Sequence, residues 1–331
     1  MKFLIAVKII LTLILAFSFA AANFAQTPPQ LPPPKPLPRQ AISAERPANY
    51  EKAIPTSATV NLKFCVSEGE VQLNGWGRDE IRVFVRNGRE PMMKTLERDP
   101  KSEKAAWLLI GSQTDRDAVG SNCLAAQTIE LDVPYAASVD ISGRSAGIVI
   151  HAVRRAKVTI VEGSLRLRNL SAGVTAEVFQ GDILVEASGG PIWLRSSTGN
   201  ITAIDLKPGE TGDEFHAKTN SGAISMQRVI HRQIEAGSIF GSVVFDGRFL
   251  PGGLYDFKTT NGSVRLRIPL ATSGTIAAAY GFGSFQSDIP YKLLAENNTG
   301  GGRSIVVQFG TGDATVNITT ASGSIAIERG Q

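Results

Sequence analysis

Residues 163–267 repeat a short phrase in which a glycine precedes an alternating run of apolar and polar residues. The phrase reads GSLRL at 163–167, GDILV at 181–185, GNITA at 199–203, GAISM at 222–226, GSVVF at 241–245 and GSVRL at 262–266. Its glycines are separated by 18, 18, 23, 19 and 21 residues. Self-similarity at such a period is typical of stacked repeat architectures. The stretch therefore predicts one β unit used many times.

The alternation inside each phrase indicates a strand with one buried face. Glycine tolerates the backbone of a tight corner, and the Ser, Asp or Asn that follows can hydrogen-bond the turn locally. In the first phrase Leu165 and Leu167 fall on one face and Arg166 on the other. A strand this short buries too little surface alone, so neighbouring repeats must stack. The sequence predicts an all-β fold, built as a β-solenoid-like or β-helix-like stack of short strands with Gly-Ser, Gly-Asp and Gly-Asn turns.

The first 22 residues have the pattern of a secretory signal peptide. Lys2 and Lys8 precede an apolar run that ends at Phe19, and Ala20 and Ala22 fit the cleavage positions. The run is shorter than the roughly 20 residues of a membrane span, and no later segment is apolar enough to span. We expect an exported protein of the periplasm, cell surface or extracellular space, without a stable membrane span once the leader is removed.

A Pro-rich segment follows the leader. Nine of the seventeen prolines lie between Gln26 and Pro55, a composition typical of extended spacers. We expect residues 23–56 to be a disordered linker and residues 57–331 to be the folded domain. That domain is divided into an N-terminal β part at 57–135 and a repeat ladder at 136–331, and surface loops are predicted at 88–106, 205–214 and 287–303.

Export also changes the expectation for the two cysteines, Cys65 and Cys123. Thiols tend to pair in an oxidising compartment, and both residues lie in strand-like segments that neighbouring strands can bring together. A disulfide is one expectation. Two small buried apolar side chains are the alternative.

Two further stretches carry a resemblance to a known family. Residues 71–83 read VQLNGWGRDEIRV, and residues 129–134 read IELDVP and are followed by Ser138-Val139 and the glycine ladder. This pattern resembles the bacterial adhesin-like family of repeated β-strands. The resemblance implies an exported β-solenoid-like domain from about residue 57 to residue 331, in a family that has no established catalytic residues.

Sequence motifs typical of catalysis, metal binding or nucleotide binding are weak in this chain. Gly143-Arg144-Ser145-Ala146-Gly147 matches the nucleophile elbow, but strand-like residues flank it where that motif needs a following helix. His151, His216 and His231 lack metal-ligand spacing and are expected to be structural or surface residues. The glycines precede strands, which excludes a phosphate-binding or dinucleotide-binding fingerprint. We therefore predict no catalytic residue, cofactor or metal.

Charge also limits the partners. The formal net charge is +4, and Lys2 and Lys8 of the leader supply two of those charges. Nucleic-acid binding requires clustered Lys and Arg, so no nucleic-acid partner is predicted.

A carbohydrate-active β-helix enzyme, a polysaccharide lyase or hydrolase, is the alternative function. Such enzymes use paired carboxylates. The carboxylates near the ladder occur singly on different phrases, apart from one adjacent pair; they are Asp182, Glu186, Asp205, Asp213 and Glu214.

The preferred function is non-catalytic binding by an envelope or surface scaffold, an adhesin-like role toward an envelope protein or a glycan. Alternation places Trp193 and Leu184 on the outer face, near Arg166, Arg168 and Arg195, and an exposed aromatic beside charges suits such a contact. Cover by a loop or by the adjacent strand is the alternative for Trp193. Self-association through terminal coils stays open.

Overall fold

The computed structural model describes residues 48–112, 123–299 and 302–330, and every helix or strand within these ranges is a β-strand. The strands are β1 (Ala48–Trp76), β2 (Glu80–Gly88), β3 (Pro91–Arg98), β4 (Ala105–Ser112), β5 (Leu124–Pro134), β6 (Ser138–His151), β7 (Arg155–Glu162), β8 (Leu165–Arg168), β9 (Val174–Gln180), β10 (Ile183–Glu186), β11 (Ile192–Thr198) and β12 (Ile201–Leu206). They continue with β13 (Glu214–Ser221), β14 (Ile224–Val229), β15 (Gln233–Phe240), β16 (Val243–Asp246), β17 (Leu254–Asn261), β18 (Val264–Ile268), β19 (Gly274–Phe282), β20 (Phe285–Ser287), β21 (Lys292–Thr299), β22 (Gly302–Phe309), β23 (Thr315–Ser322) and β24 (Ile325–Arg329). The all-β prediction is confirmed.

Strands that are two apart in the chain pair side by side, parallel and in register. We call the series β7, β9, β11, β13, β15 and β17 ladder A. The series β8, β10, β12, β14, β16 and β18 is ladder B. The first half of β6 pairs with β7 and its second half with β8. Each repeat therefore contributes one strand to each ladder.

The corner between the two ladders is a column of glycines. A Cβ on Gly222 would lie 2.1 Å from the carbonyl oxygen of Gly199, and one on Gly241 would lie 2.0 Å from that of Gly222. Both glycines also have φ near +150° (151° and 153°), a conformation that L side chains rarely adopt. Two independent constraints thus fix glycine at these corners, whereas at Gly262 the close approach alone does so, with an added Cβ 2.1 Å from the carbonyl oxygen of Gly241.

A column of buried hydroxyl groups runs beside these glycines. Each hydroxyl lies three residues before a corner glycine and donates a hydrogen bond to the corner carbonyl of the neighbouring repeat. The bonds are Ser196 to Gly181 (3.1 Å), Thr219 to Gly199 (3.0 Å), Ser238 to Gly222 (2.9 Å), Thr259 to Gly241 (2.8 Å) and Thr320 to Gly262 (3.0 Å). These bonds connect successive repeats at their tightest point.

The core lies between the inward faces of the ladders. Leu165 and Leu167 are 1% and 0% exposed, whereas Arg166 and Arg168 of the same strand are exposed, as the alternation predicts. The phrase at 181–185 behaves in the same way, with Ile183 and Val185 buried. Stacking of these inward side chains supplies the apolar burial that a four-residue strand lacks alone.

Strand order in space departs from chain order at both ends. Residues 61–74 of β1 pair with β6 on one side, and β1 also pairs with β4 and β5. At the other end, β23 lies between β17 and β19, and β24 lies between β18 and β20. Antiparallel strands finish the ladders, β2 and β3 at one end and β22 and β21 at the other. Among the described strands, β3 and β21 each pair on one side only, so an unpaired edge remains at each end.

Three predicted boundaries differ from the structure. The first strand begins at Ala48, before the expected domain start at 57, because residues 50–55 pair antiparallel with β2 while Glu51 and Lys52 stay exposed and mask the pattern. Strand β3 occupies part of the expected loop 88–106, at an edge where little is buried. The hairpin β21–β22 occupies much of 287–303, and a bulge between Leu293 and Ala295 interrupts its alternation. The expected loop 205–214 does separate β12 from β13.

Cys65 of β1 and Cys123 form a disulfide, with a Cα–Cα distance of 4.5 Å. The strands on either side are already neighbours, since Val66 pairs with Leu124. The bond joins chain segments 58 residues apart.

The predicted signal peptide at 1–22 and the part of the predicted linker that precedes residue 48 lie outside the described residues. Within the described ranges, no helix is long and apolar enough to cross a membrane.

Candidate functional site

The outer face of ladder A carries a stacked pair of rings. Trp193 of β11 and His216 of β13 occupy matching positions on adjacent strands, and their ring centroids lie 3.8 Å apart with an interplanar angle of 14°. On the opposite side the partner of Trp193 is Thr175 of β9, which is too small to cover an indole. Trp193 therefore remains 47% exposed. The adjacent strand β13 covers one face of the indole with His216, so the alternative of cover by a neighbouring strand holds for that face and not for the whole ring.

Hydrogen bonds fix the histidine under the indole. Nδ1 of His216 lies 3.1 Å from Oε2 of Glu235, and Nζ of Lys218 lies 2.7 Å from Oε1 of the same carboxylate. Lys218 lowers the pKa of Glu235, and His216 adds to the shift, although partial burial opposes both. The Glu235 carboxylate is thus ionised at neutral pH and holds the imidazole in place. Trp193 rests on a ring that cannot turn freely.

The next outward row of ladder A is charged, and the row beyond it contains a second aromatic. Arg195 of β11 lies 3.9 Å from Glu177 of β9 in an ion pair exposed to solvent, which contributes little to stability. Phe179 of β9 is 57% exposed. We call Trp193, His216, Glu177, Arg195 and Phe179 the ladder A face. Two aromatic side chains flank charged groups on a flat sheet surface there.

The five predicted surface residues do not form one surface. Trp193 and Arg195 lie in ladder A, and β11 pairs with β9 and β13. Arg166, Arg168 and Leu184 lie in ladder B, where β8 pairs with β10 and Leu184 is aligned with Arg166. The expectation failed because residues close in sequence lie on strands separated by a corner.

His216 and Phe179 were missed as members of the face, and Glu235 was missed as the residue that holds His216. A signal for His216 and Glu235 was present: Trp193 and His216 each lie six residues before a corner glycine, and so does Glu235. Aligning the repeats on these glycines places the three side chains in one row across the sheet. Phe179 occupies the outward position two residues before its own corner glycine.

The candidate catalytic motif is part of a continuous strand. Residues 143–147 belong to β6, which runs from Ser138 to His151, and the described chain has no helix after them. His151 bonds Asn169 at 2.8 Å. His231 is fully buried, with Nε2 3.0 Å from the carbonyl oxygen of Gly190. Both histidines are engaged with other partners, and no hydrogen bond joins either of them to Ser145 among the described residues.

Four of the five candidate carboxylates have local partners. Asp182 accepts a hydrogen bond from the backbone N–H of Asn200 at 2.7 Å, a turn contact. Asp205 bonds Arg228 at 2.8 Å, and this arginine lowers the pKa of Asp205. Asp213 pairs with Arg232 at 3.4 Å, and Glu214 lies 3.7 Å from Nε2 of His216. Glu186 is an outward residue of β10. A general acid needs a raised pKa, which is the opposite of the shift at Asp205.

Among the described ranges, no group of three His, Cys, Asp or Glu side chains is arranged to hold a metal ion.

Comparison with known proteins gives distant matches only. No family model and no curated protein matches the chain. Three crystal structures align over most of it. A provisionally named cell adhesion protein of Clostridium sporogenes has 12% identity over 85% of this chain and 100% of its own, with a TM-score of 0.25. A provisionally named adhesin of Bacteroides fragilis has 7% identity over 85% and 97%, with a TM-score of 0.36. A provisionally named lipid-binding protein of Parabacteroides distasonis has 13% identity over 84% and 96%, with a TM-score of 0.35. TM-scores this low do not establish a shared fold, so these likenesses carry no functional weight.

Proposed function

We propose that this chain is an exported, non-catalytic β-repeat protein with an adhesin-like role, which acts as a scaffold at the cell envelope or surface and binds a glycan through the ladder A face. We further propose that ladders A and B are two sides of a β-solenoid. In this proposal the repeats provide a rigid support, and specificity comes from the outward side chains.

The observation that carries the proposal is the support beneath Trp193. An indole stacked on His216 and 47% exposed presents a flat apolar surface whose orientation is set before any ligand arrives. Pre-organised aromatic groups bind with a small loss of side-chain entropy. Glu177 and Arg195 beside it supply a hydrogen-bond acceptor and donors at the edge of this platform. A pyranose ring has matching chemistry, because one face of the ring carries C–H groups and its rim carries hydroxyls.

The contacts made by the carboxylates at the ladder A face favour binding without catalysis. At this face Glu177 is in an exposed ion pair with Arg195, Lys218 lowers the pKa of Glu235, and Glu214 lies 3.7 Å from Nε2 of His216. Hydrolysis of a glycosidic bond requires one carboxylic acid that stays protonated. Lys218 favours the ionised form of Glu235, which is the opposite of what that role requires.

The test is glycan binding by the mature protein and two variants. We expect Trp193→Ala to abolish binding to the glycan recognised by the wild type on an array of bacterial and host glycans. Trp107 is 43% exposed on β4, outside the ladder A face, so Trp107→Ala is the matched control and should bind as the wild type does. Equal binding by Trp193→Ala, or capture of an envelope protein and no glycan, would reject the proposal.

A further inference from the structure

A second candidate site lies on the side of the stack between the end of each ladder B strand and the start of the next ladder A strand. Backbone hydrogen bonds join successive repeats there, from Ala172 N–H to the carbonyl of Arg154 (2.7 Å) and from Gly190 N–H to that of Lys207 (3.1 Å). Gly189 and Lys207 also form a parallel bridge. The segments around Arg154, Ala172, Gly189 and Lys207 therefore lie side by side in this order.

The floor between the two basic residues has almost no side chains of its own, although Nε of Arg155 and the hydroxyl of Thr211 both reach the carbonyl oxygen of Ala172, at 3.1 Å and 3.3 Å. Arg154 and Lys207 are three strand spacings apart, about 14 Å, and the two positions between them are Ala172 and Gly189. We call this region the trough. Glycine is required at neighbouring Gly190, where a Cβ would lie 2.7 Å from the nitrogen of Gly173. Gly189 has no such restriction, since a Cβ there would have no neighbour closer than 3.6 Å.

The trough has two walls and a volume of about 720 Å³, within the range of small-ligand sites. Tyr135 forms one wall. Its ring packs over Gly75, where an added Cβ would lie 2.9 Å from the ring, and it remains 58% exposed. The turn at 208–211 forms the other, held by the hydroxyl of Thr211, which lies 3.3 Å from the carbonyl oxygen of Ala172.

A positively charged side chain without an ion-pair partner lies at each end of the trough. Arg154 and Lys207 are exposed, and neither has a carboxylate within ion-pair distance among the described side chains. Glu210 on the turn is the acidic residue of the lining. Because their backbone positions are about 14 Å apart by strand spacing, the two side chains can each receive one anionic group of an extended ligand that lies along the floor.

We infer that the trough binds a linear anionic saccharide, with one acidic group at Arg154, another at Lys207 and a sugar ring against Tyr135. A saccharide suits the open floor, which offers no apolar pockets for the side chains of a peptide. Single-stranded nucleic acid carries a charge at every nucleotide and uses longer basic tracks. The inference concerns a different side of the stack from Trp193 and does not depend on the ladder A face.

The test is titration calorimetry of the mature protein with an oligogalacturonate hexamer and with its fully methyl-esterified, uncharged form. We expect binding of the charged hexamer only, weakened by added salt. Arg154→Gln and Lys207→Gln should each lower the affinity roughly fivefold, the scale of an exposed ion pair. Glu210→Gln should raise the affinity, and Gly189→Gln should block the floor. Arg144→Gln, at an exposed arginine of β6 outside the trough, and Trp193→Ala should leave the affinity unchanged.

Several outcomes would overturn the inference: equal binding of the esterified hexamer, equal affinity for monogalacturonate or inorganic phosphate, tighter binding of an oligothymidylate, or affinity unaffected by Arg154→Gln and Lys207→Gln. Thermal melting identifies any variant that fails to fold. If Gly189→Gln is one of these, the arginine and lysine variants still decide the question, because their side chains are exposed and their loss should not affect folding.

Discussion

The carbonyl oxygen of Gly199 occupies the space that a side chain on Gly222 would need. The distance from an added Cβ on Gly222 to this oxygen is 2.1 Å, and the same relation connects the corner glycines from Gly181 onward, whereas Gly163 meets the carbonyl oxygen of Ala146. Parallel repeats can approach to strand spacing at the corner only if the column has no side chains. The glycines of the repeat phrase are therefore packing residues.

Gly222→Ala should destabilise the protein by about 3 kcal/mol, combining a positive-φ penalty and overpacking. Gly237→Ala is the control, because Gly237 lies in β15 and an added Cβ there would have no neighbour closer than 3.8 Å. We expect the control to be neutral or slightly stabilising. Urea denaturation followed by circular dichroism measures both variants. Equal losses would show that the column does not determine the packing.

Thr219→Val tests the hydroxyl column. Thr219 is 3% exposed, and its hydroxyl donates a hydrogen bond to the carbonyl oxygen of Gly199 at 3.0 Å. Valine removes this donor and leaves the buried carbonyl with one hydrogen bond fewer. A loss of about 1–2 kcal/mol is expected. Thr159→Val, at an exposed position of β7, should change stability by less than about 0.5 kcal/mol. A neutral result for Thr219→Val in the same denaturation assay would contradict the role given to this column.

Reduction of the Cys65–Cys123 bond should lower stability substantially. The closed loop spans 58 residues, for which the chain-entropy account gives about 4 kcal/mol. Melting of the wild type with and without reductant, compared with the Cys65→Ser/Cys123→Ser double variant, measures the effect. Reductant should shift the wild type and leave the double variant unchanged. An unchanged wild-type melt under conditions in which free thiols are detected would refute the expectation.

His231 should make stability depend on pH below about 6.5, the ordinary pKa of histidine. Burial lowers the pKa of His231 in the folded protein, so the unfolded chain binds a proton that the folded chain excludes. Stability is therefore greatest above the unfolded pKa and falls as the pH drops through it, by at most about 1.4 kcal/mol per pH unit.

The matched measurement is the free energy of unfolding between pH 7.5 and pH 5 for the wild type, His231→Gln and His151→Gln. His231→Gln should reduce the slope, and His151→Gln, at a half-buried position, is the control for the loss of a histidine. The lowered pKa values of Asp205 and Glu235 affect stability only at more acidic pH. If the free energy of unfolding of His231→Gln depends on pH as steeply as that of the wild type, groups other than His231 cause the pH dependence.

The repeat phrase was sufficient to predict strand positions, the corners and the buried face, because alternation and glycine spacing are local properties. Leu165 is buried and Arg166 exposed for this reason. Strand order at the ends was not predictable in the same way. Parallel repeats of similar shape can stack on one another in several orders. No local sequence pattern predicts that β23 pairs with the distant strand β17 and not with β22, which precedes it in the chain.

Functional positions were predicted only where a distinctive side chain marked them. Trp193 stood out, but its partner His216 did not, because the residues are distant in sequence and are aligned only by the register of β11 and β13. The trough was harder still to predict. Its floor is defined by the small size of Ala172 and Gly189, and small residues are common throughout the chain.

The most direct test of the central claim combines binding and turnover on one glycan. The mature wild type and Trp193→Ala are incubated with the glycan selected on the array, and bound ligand and new reducing or unsaturated ends are measured in the same samples. We predict saturable binding by the wild type, loss of binding in Trp193→Ala, and no new chain ends in either sample. New chain ends that depend on the protein, or undiminished binding by Trp193→Ala, would contradict a non-catalytic scaffold that binds through the ladder A face.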